Sequence, residues 1–412
     1  MNKFLLSTQA DLDLIQKETP SQRILEISIT APLAQEHLER PSLNLALVLD
    51  RSGSMSGAKI EYAKKAAKHV ISLLQEKDKL ALVAYDQEVL SLSPSVQVTE
   101  AARSELKALL ARIEPGGMTN LSGGWLQGCQ FVATVVAQGL VNRALLLTDG
   151  LANVGITDME TLGSHARELH NRGISTSTFG VGEDYNEHLL ELMSNQGGGN
   201  FYFIADPQNI PDIFARELSE LAAITARAVE VEIELPPHVD AHLLAGWKQQ
   251  REDNLLKVWL GDLASGQIRQ IYLRLLTPPL EALHTLEIRV TARAKGEDEA
   301  LFYEKKTTQT LRYTDPQEIQ ATRPDRSLLS RYSEVEVAEA ANEALKLEKT
   351  GLREDARQIL NQALATAAPY LSSEKSAEYQ NQADRIKEGL SAEQQKSLHY
   401  RSYQDRQRRS PK

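Results

Sequence analysis

LNLALVLDRSGSMSG, residues 43–57, is the stretch on which the fold of this chain depends. It begins with an almost unbroken apolar run, which is typical of a strand buried on both faces of a parallel sheet. The run stops at Asp50, and Ser52 and Ser54 follow at alternate positions. The next segment, SGAKIEYAKKAAKHVISLLQ, repeats apolar residues at helical spacing. We therefore predict a strand, a loop rich in oxygen donors and a helix, and open α/β sheets bind ligands at the carboxyl ends of their strands.

Two later segments extend this pattern. Thr119 lies in the glycine-flanked loop EPGGMTNLSGG, and Asp149 ends a second apolar strand, ALLLTDG. Together with the first three positions these residues resemble, residue by residue, the metal-ion-dependent adhesion site of von Willebrand factor A domains: Asp50, Ser52, Ser54, Thr119 and Asp149. The resemblance covers residues 41–224, where helical and strand patterns alternate. It implies a doubly wound, Rossmann-like α/β domain with a metal site formed by those five residues.

The five side chains also indicate the chemistry of the site. All are oxygen donors without His or Cys, which favours Mg²⁺, with Mn²⁺ or Ca²⁺ as alternatives, over zinc. Only Asp50 and Asp149 are carboxylates and the other three donors are neutral hydroxyls, and Mg²⁺ keeps open or water-filled positions in its octahedron where a further anion can bind. This favours capture of a Glu or Asp side chain from a protein partner, as the resemblance also implies. The alternative is that Ser52 and Ser54 cap the following helix and that the two acids merely end strands.

Competing chemistries find no support in the sequence. Ser52 stands where a phosphatase of the haloacid dehalogenase type would need a second Asp. A phosphate-binding G-x-x-x-x-G-K-[ST] loop does not occur, and GVGEDY lacks the third glycine of a dinucleotide loop. No set of residues resembles a nucleophile, its base and an orienting group. We therefore predict a binding protein and not an enzyme.

Composition limits the compartment and the partners. The 412 residues suggest two or three domains, and the net charge of −10 disfavours nucleic acid and anionic membranes as partners. There is no apolar run of about 18 residues that could span a bilayer, and the N-terminal residues do not resemble a secretory leader. The single cysteine, Cys129, excludes an internal disulfide. We expect a cytoplasmic protein without a membrane span.

The flanking segments predict further domains. Residues 225–315 contain five alternating stretches, which predict an antiparallel β-sandwich. Residues 1–40 include RILEISIT, and we expect these N-terminal strands to complete the sandwich, so that the α/β domain is an insertion. Residues 316–395 predict a helical region. Residues 396–412 form a basic tail that we expect to be disordered and whose role stays open.

The arrangement of an A domain beside β-rich segments resembles the inter-alpha-trypsin inhibitor heavy chains and the so-called calcium-activated chloride channel group, in particular their soluble bacterial relatives. The channel activity is not expected here, because no spanning segment occurs. Two alternatives to partner capture remain. By resemblance to chelatase subunits and to proteins that work with MoxR-type ATPases, the chain could be an adaptor of an AAA+ remodelling machine. The domain could also be structural, with an idle site. Resemblance further implies that ligand binding shifts the last helix, near residues 210–224.

Overall fold

The structure of the protein is a computed structural model that describes residues 3–34, 40–136, 140–279, 285–296 and 301–407. The chain forms two compact units. One, which we call the sandwich unit, comprises Met1–Leu33, Ala226–Gly296 and Phe302–Lys412, and the other, the parallel-sheet unit, comprises Ala34–Thr225 and Glu297–Leu301.

The described residues form strands and helices with the following bounds. The strands are β1 Leu5–Ala10, β2 Leu14–Gln16, β3 Ser21–Thr30, β4 Ser42–Asp50, β5 Lys79–Tyr85, β6 Val89–Gln97, β7 Leu140–Thr148, β8 Ser175–Val181, β9 Gly198–Ile204, β10 Ile224–Glu234, β11 Asp240–Leu243, β12 Lys248–Glu252, β13 Leu255–Ala264, β14 Ile268–Thr277, β15 Thr285–Lys295 and β16 Phe302–Thr314. The helices are α1 Ala58–Leu73, α2 Glu100–Ala111, α3 Leu121–Ala133, α4 Met159–Asn171, α5 Glu187–Gln196, α6 Ile210–Ala222, α7 Pro316–Ala321, α8 Arg326–Lys349, α9 Arg353–Ala367, α10 Ser373–Glu388 and α11 Ala392–Gln407. Short 3₁₀ turns lie at Gly53–Met55 and Pro207–Asn209.

The parallel-sheet unit is built on a six-stranded sheet in the order β6-β5-β4-β7-β8-β9. All neighbouring pairs are parallel except β5 and β6, which are antiparallel. Every residue of β4 except its first is buried, and the same holds for β7. A strand buried on both faces needs layers on both sides, and the apolar run of β4 meets that need. The predicted doubly wound α/β fold is confirmed.

Helix α3 lies close to the central strands of this sheet. A side chain on Gly124 would overlap the ring of Tyr85 in β5, and one on Gly128 would overlap Val48 in β4. Glycine at these two positions lets the helix backbone approach the strands. The approach brings the start of α3, and with it the loop that contains Thr119, to the carboxyl edge of the sheet.

The sandwich unit contains two sheets with one shared hydrophobic core. The four-stranded sheet has the order β1-β3-β14-β11 and the six-stranded sheet the order β12-β13-β10-β15-β16-β2. Side chains from both sheets, such as Ile27 and Ile271 from the first and Val231 and Ile288 from the second, belong to the same buried cluster. The predicted sandwich is confirmed. Its short edge strands β11 and β12 were not predicted, because β11 has only four residues and β12 is polar and mostly exposed.

The C-terminal helices pack onto the sandwich and onto each other. Val335 of α8 lies in the sandwich core, whereas Val337, Leu360 of α9 and Ile386 of α10 form a second apolar cluster. The predicted helical segment is confirmed. No helix within the described ranges combines the length and the hydrophobicity that a membrane span requires.

The expectation of a disordered tail from residue 396 is wrong for residues 396–407, which belong to α11. This helix buries Tyr403 and Leu398. Ser402 Oγ donates to the carbonyl of Ala338 in α8 at 2.6 Å, and Lys375 of α10 pairs with Asp405 at 2.8 Å. The many polar residues of α11 suggested solvent, but these contacts order them against neighbouring helices. Residues 408–412 lie outside the described residues.

Candidate metal centre

Two neighbouring parallel strands carry the acids of the predicted site to one edge of the sheet. Asp50 is the last residue of β4, and Asp149 directly follows β7, which pairs with β4. Both carboxylates are fully buried. Asp50 Oδ1 accepts the N–H of Ser52 at 2.7 Å, and Oδ2 accepts the hydroxyl of Thr148 at 2.6 Å. The Asp50 carboxylate is therefore fixed in orientation by its own loop and by β7.

The two serines link the acids instead of capping a helix. Ser52 Oγ and Ser54 Oγ are 3.2 Å apart, and Ser54 Oγ donates to Asp149 Oδ1 at 2.7 Å. Ser52 precedes the 3₁₀ turn without a side-chain capping bond, and α1 is preceded by Gly57. The capping alternative is wrong, because the serine hydroxyls face each other and Asp149.

Thr119 is held beside these groups by the loop that follows β7. Its N–H donates to Asn153 Oδ1 at 2.8 Å, and its carbonyl accepts the N–H groups of Asn153 and Val154 at 3.1 and 3.2 Å. A methyl group placed on Gly150 would lie 3.3 Å from Thr119 Oγ1 and 3.6 Å from Ser54 Oγ. The hydroxyls of Thr119 and Ser54 therefore both border the space in front of Gly150. The structure brings all five predicted residues together.

Lys59 is a member of this group that the sequence analysis missed. Its Nζ lies 2.5 Å from Asp149 Oδ2, and its side chain is 25% exposed. The residue stands in the first turn of α1, where the helix dipole disfavours a cation. A lysine at such a position, nine residues after a strand-ending Asp, was a signal that a nearby anion compensates it.

A second ion pair joins the loops that carry the site. Asp86, which directly follows β5, pairs with Arg51 at 2.9 Å and accepts the N–H of Gly117 at 2.9 Å. The backbone N–H of Gly116 donates to the carbonyl of Arg51 at 2.6 Å, and that of Gly53 donates to the carbonyl of Gly117 at 3.0 Å. The contacts of Asp86 therefore both fix the turn that follows β5 and join the two loops that carry the site.

The acids of this region differ in their proton affinity. Burial raises the pKa of Asp50 to about 6, an effect that hydrogen bonds from Thr148 and Ser52 partly offset and that the neighbouring charge of Asp149 reinforces. Burial also raises the pKa of Asp86, but the N–H groups of Glu88 and Gly117 and the Arg51 guanidinium lower it more, so that the pKa lies below its ordinary value. A cation beside Asp50 would favour its charged form.

The donor set fits a hard divalent cation. Two carboxylates and three hydroxyls lie together, and the hydroxyls of Thr119 and Ser54 flank the space in front of Gly150. Within the described part of the chain, no three His, Cys, Asp or Glu side chains form a metal-binding group. The site has only two carboxylates and depends on neutral hydroxyls, which suit Mg²⁺ or Ca²⁺ but not zinc.

Comparisons with known proteins support the fold. Residues 44–216 match the von Willebrand factor type A domain. The protein YfbK of Escherichia coli is 30% identical over 201 residues, which are 48% of this chain and 35% of YfbK. The protein sll0103 of Synechocystis is 27% identical over 396 residues, 92% of this chain and 91% of that protein. The solved structure of a von Willebrand factor type A protein from Catenulispora acidiphila has a TM-score of 0.77 at 16% identity and covers 97% of this chain, with 96% of its own length aligned.

Similarity to animal proteins is confined to a part of each. Mouse inter-alpha-trypsin inhibitor heavy chain 4 is 31% identical over 172 residues, which are 40% of this chain and only 18% of that protein. The chain thus spans about a third of YfbK and less than a fifth of the heavy chain. We conclude that residues 44–216 match the von Willebrand factor type A domain and that the chain has distant similarity to the inter-alpha-trypsin inhibitor heavy chains.

Proposed function

We propose that this protein is a metal-dependent interaction module, in which Mg²⁺ held by Asp50, Ser52, Ser54, Thr119 and Asp149 captures a Glu or Asp side chain of a partner protein. The observation that carries the proposal is the convergence of these five oxygen donors at one edge of the sheet. Mn²⁺ and Ca²⁺ are alternative ions with the same preference for oxygen. The residues provide binding and orientation, and we assign them no catalytic step.

The surroundings of the site support a protein partner. Ser54 is exposed although the two acids are buried, so one side of the donor set faces solvent. Met118 and Leu151, next to Thr119 and Gly150 in sequence, are 54% and 57% exposed. Protein interfaces combine apolar contact residues with polar surroundings. A partner that presents an acid next to an apolar residue would match both features.

The first test is calorimetric titration of Mg²⁺ into chelator-treated protein at pH 8, with Asp50→Asn as the site variant. We expect saturable binding by the wild type and loss of that binding in Asp50→Asn, because one of the only two carboxylates in the donor set is neutralised. Glu105→Gln, which removes an exposed carboxylate on α2, is the matched control and should bind Mg²⁺ as the wild type does. Equal binding by all three proteins, or none, would show that the donors form no working metal site.

The second test concerns the captured anion. Mn²⁺ binding is measured with and without N-acetylglutamate methylamide, a blocked glutamate, and with the corresponding blocked glutamine. Coupling between two ligands is reciprocal, so a carboxylate that binds to the metal must raise the affinity of the protein for Mn²⁺. We expect the affinity for Mn²⁺ to rise with the blocked glutamate and not with the blocked glutamine. The same effect with both probes, or with neither, would count against carboxylate capture.

A further inference from the structure

Lys59 reaches the site from outside the five-residue pattern. Its ammonium contacts Asp149 Oδ2, while Ser54 donates to the other oxygen, Oδ1. A methyl group placed on Gly182, directly after β8, would lie 3.6 Å from both Cε and Nζ of Lys59. The ammonium therefore lies at the carboxyl ends of β7 and β8. The ammonium and the Ser54 hydroxyl each contact one oxygen of the Asp149 carboxylate.

The net charge of the groups around the site indicates how Lys59 affects the binding of a cation and of an anion. Asp50, Asp149 and Lys59 together carry one net negative charge, so a bound divalent cation leaves one net positive charge. One carboxylate from outside then makes the group neutral. Without Lys59 the two acids alone would neutralise the cation, and an incoming carboxylate would leave a net negative charge. Arg51 and Asp86 form a neutral pair and leave this sum unchanged.

From this balance we propose that Lys59 is a positioning residue that sets the selectivity of the site: it weakens binding of the divalent cation and strengthens binding of a carboxylate to the cation-loaded site. The inference rests on the proposed function and deepens it. The ligand class is a single carboxylate group, as in a Glu or Asp side chain. A lysine that only stabilised the fold would not change the two affinities in opposite directions.

The test compares Lys59→Met, which keeps the length of the side chain without its charge, with Lys59→Arg, which keeps the charge. Mg²⁺ and Mn²⁺ affinities are measured at pH 8, and Mn²⁺ affinity is measured again with the blocked glutamate. Removal of one like charge should strengthen Mg²⁺ binding by about tenfold in Lys59→Met. The increase in Mn²⁺ affinity caused by the blocked glutamate should fall by about threefold or more, and Lys59→Arg should resemble the wild type in both.

Thermal melting in chelator and in Mg²⁺ gives an independent readout. In chelator, Lys59→Met leaves the buried Asp149 carboxylate without its cation, so its Tm should fall below that of the wild type. Added Mg²⁺ should then raise the Tm of the variant more than that of the wild type. Should Lys59→Met not fold in chelator, Lys59→Gln, which keeps a hydrogen-bond donor, takes its place in all measurements.

The outcomes separate this inference from the proposed function. Wild-type protein that binds no Mg²⁺ would overturn both. Wild-type protein that binds Mg²⁺, with unchanged or weaker Mg²⁺ binding in the uncharged variant, would overturn the role of Lys59 alone. If the blocked glutamate increases the Mn²⁺ affinity of that variant as much as that of the wild type, the role of Lys59 is likewise overturned.

Discussion

At the scale of single residues, Asp86 touches both loops that carry the donor set, although it is not one of the five donors. Its carboxylate accepts N–H groups of Glu88 and Gly117 and pairs with Arg51. A side chain on Gly116 would overlap Asp86 Oδ2, so glycine there is required by the close approach of the loop. Through these contacts Asp86 holds the Thr119 loop against the loop of Ser52 and Ser54.

We predict that Asp86→Asn weakens Mg²⁺ binding even though no ligand is removed. The amide keeps the size of the side chain but cannot pair with Arg51, and one of its two oxygen acceptors becomes a donor. Loss of buried hydrogen bonds to a charged group should lower the free energy of unfolding by about 1–3 kcal/mol. Calorimetric titration and denaturant unfolding measure the two effects. Glu88→Gln, at the exposed neighbouring acid, is the control, and wild-type Mg²⁺ affinity in Asp86→Asn would refute the positioning role.

The donor positions could be predicted because each follows a recognisable strand or glycine-rich loop. The residues that hold these donors in place could not be predicted. Thr148, Asn153 and Arg51 act through hydrogen bonds and an ion pair to residues distant in sequence, and their residue types are common in strands and loops. Lys59 left one physical signal, its place at the positive end of a helix dipole.

At the scale of secondary structure elements, helix α6 is joined to three strands by one buried carboxylate. Glu217 Oε1 pairs with Arg143 of β7 at 3.1 Å and accepts the Ser177 hydroxyl of β8 at 2.5 Å. Its Oε2 accepts the Tyr202 hydroxyl and the Asn200 amide of β9, each at 2.7 Å. The helix shift implied by resemblance remains a prediction, and such a shift would have to separate Glu217 from these partners.

We predict that Glu217→Gln destabilises the protein and changes its response to acid. Removal of the charge breaks the buried ion pair between Glu217 and Arg143, which typically costs about 3–5 kcal/mol. Burial raises the pKa of Glu217, but Arg143 and the three hydrogen-bond donors together lower it by more than burial raises it. The pKa therefore lies below the ordinary value of 4.5. The carboxylate therefore stabilises the wild type above that pH, and its contribution is lost as the pH falls through the lowered pKa.

Urea unfolding as a function of pH tests both parts of this prediction. The stability difference between wild type and Glu217→Gln should be largest near neutral pH and should shrink in acid. Asp212→Asn, at an exposed acid in the first turn of the same helix, should differ from the wild type by less than about 1 kcal/mol. A difference between wild type and Glu217→Gln that grows as the pH falls would contradict the assignment.

The elements that sequence patterns missed share one property. The four-residue strand β11, the polar strand β12 and the polar helix α11 all depend on contacts with other elements for their order. Hydrophobic periodicity identifies an element that buries one face in a large core. It does not identify an edge strand that pairs through its backbone, or a helix whose buried face includes residues such as Lys396 and Arg406.

At the scale of the whole molecule, the N-terminal strands belong to the sandwich unit, and β3 lies inside its four-stranded sheet. Strand β3 pairs with β1 on one side and with β14 on the other. Glu26 of β3 accepts the Tyr272 hydroxyl of β14 at 2.8 Å and pairs with Arg331 of α8, also at 2.8 Å. These contacts support our proposal that the parallel-sheet unit is inserted into the sandwich.

We predict that deletion of residues 1–33 unfolds the sandwich unit and spares the metal site. Without β3, strand β14 loses ten paired residues and the core loses Ile27 and Ile29. Hydrogen exchange should show loss of protection in β14 and β15, while β4 and β7 stay protected and Mg²⁺ titration remains as in the full chain. Full protection of β14 in the shortened protein would refute the insertion.

The pairing of β3 with β14 also has a consequence for synthesis on the ribosome. The hydrogen-bonded residues Glu26 and Tyr272 are 246 positions apart. At about 5–20 residues per second, β3 waits roughly 12–50 s for its partner to be translated, whereas all six strands of the parallel sheet, from β4 to β9, are translated before β14. During that interval the edge of β3 that later pairs with β14 stays unpaired, while the strands of the parallel sheet are already available to fold. The nascent chain therefore passes through a stage in which a chaperone or a neighbouring chain can reach that edge. This stage ends only when β14 has left the exit tunnel.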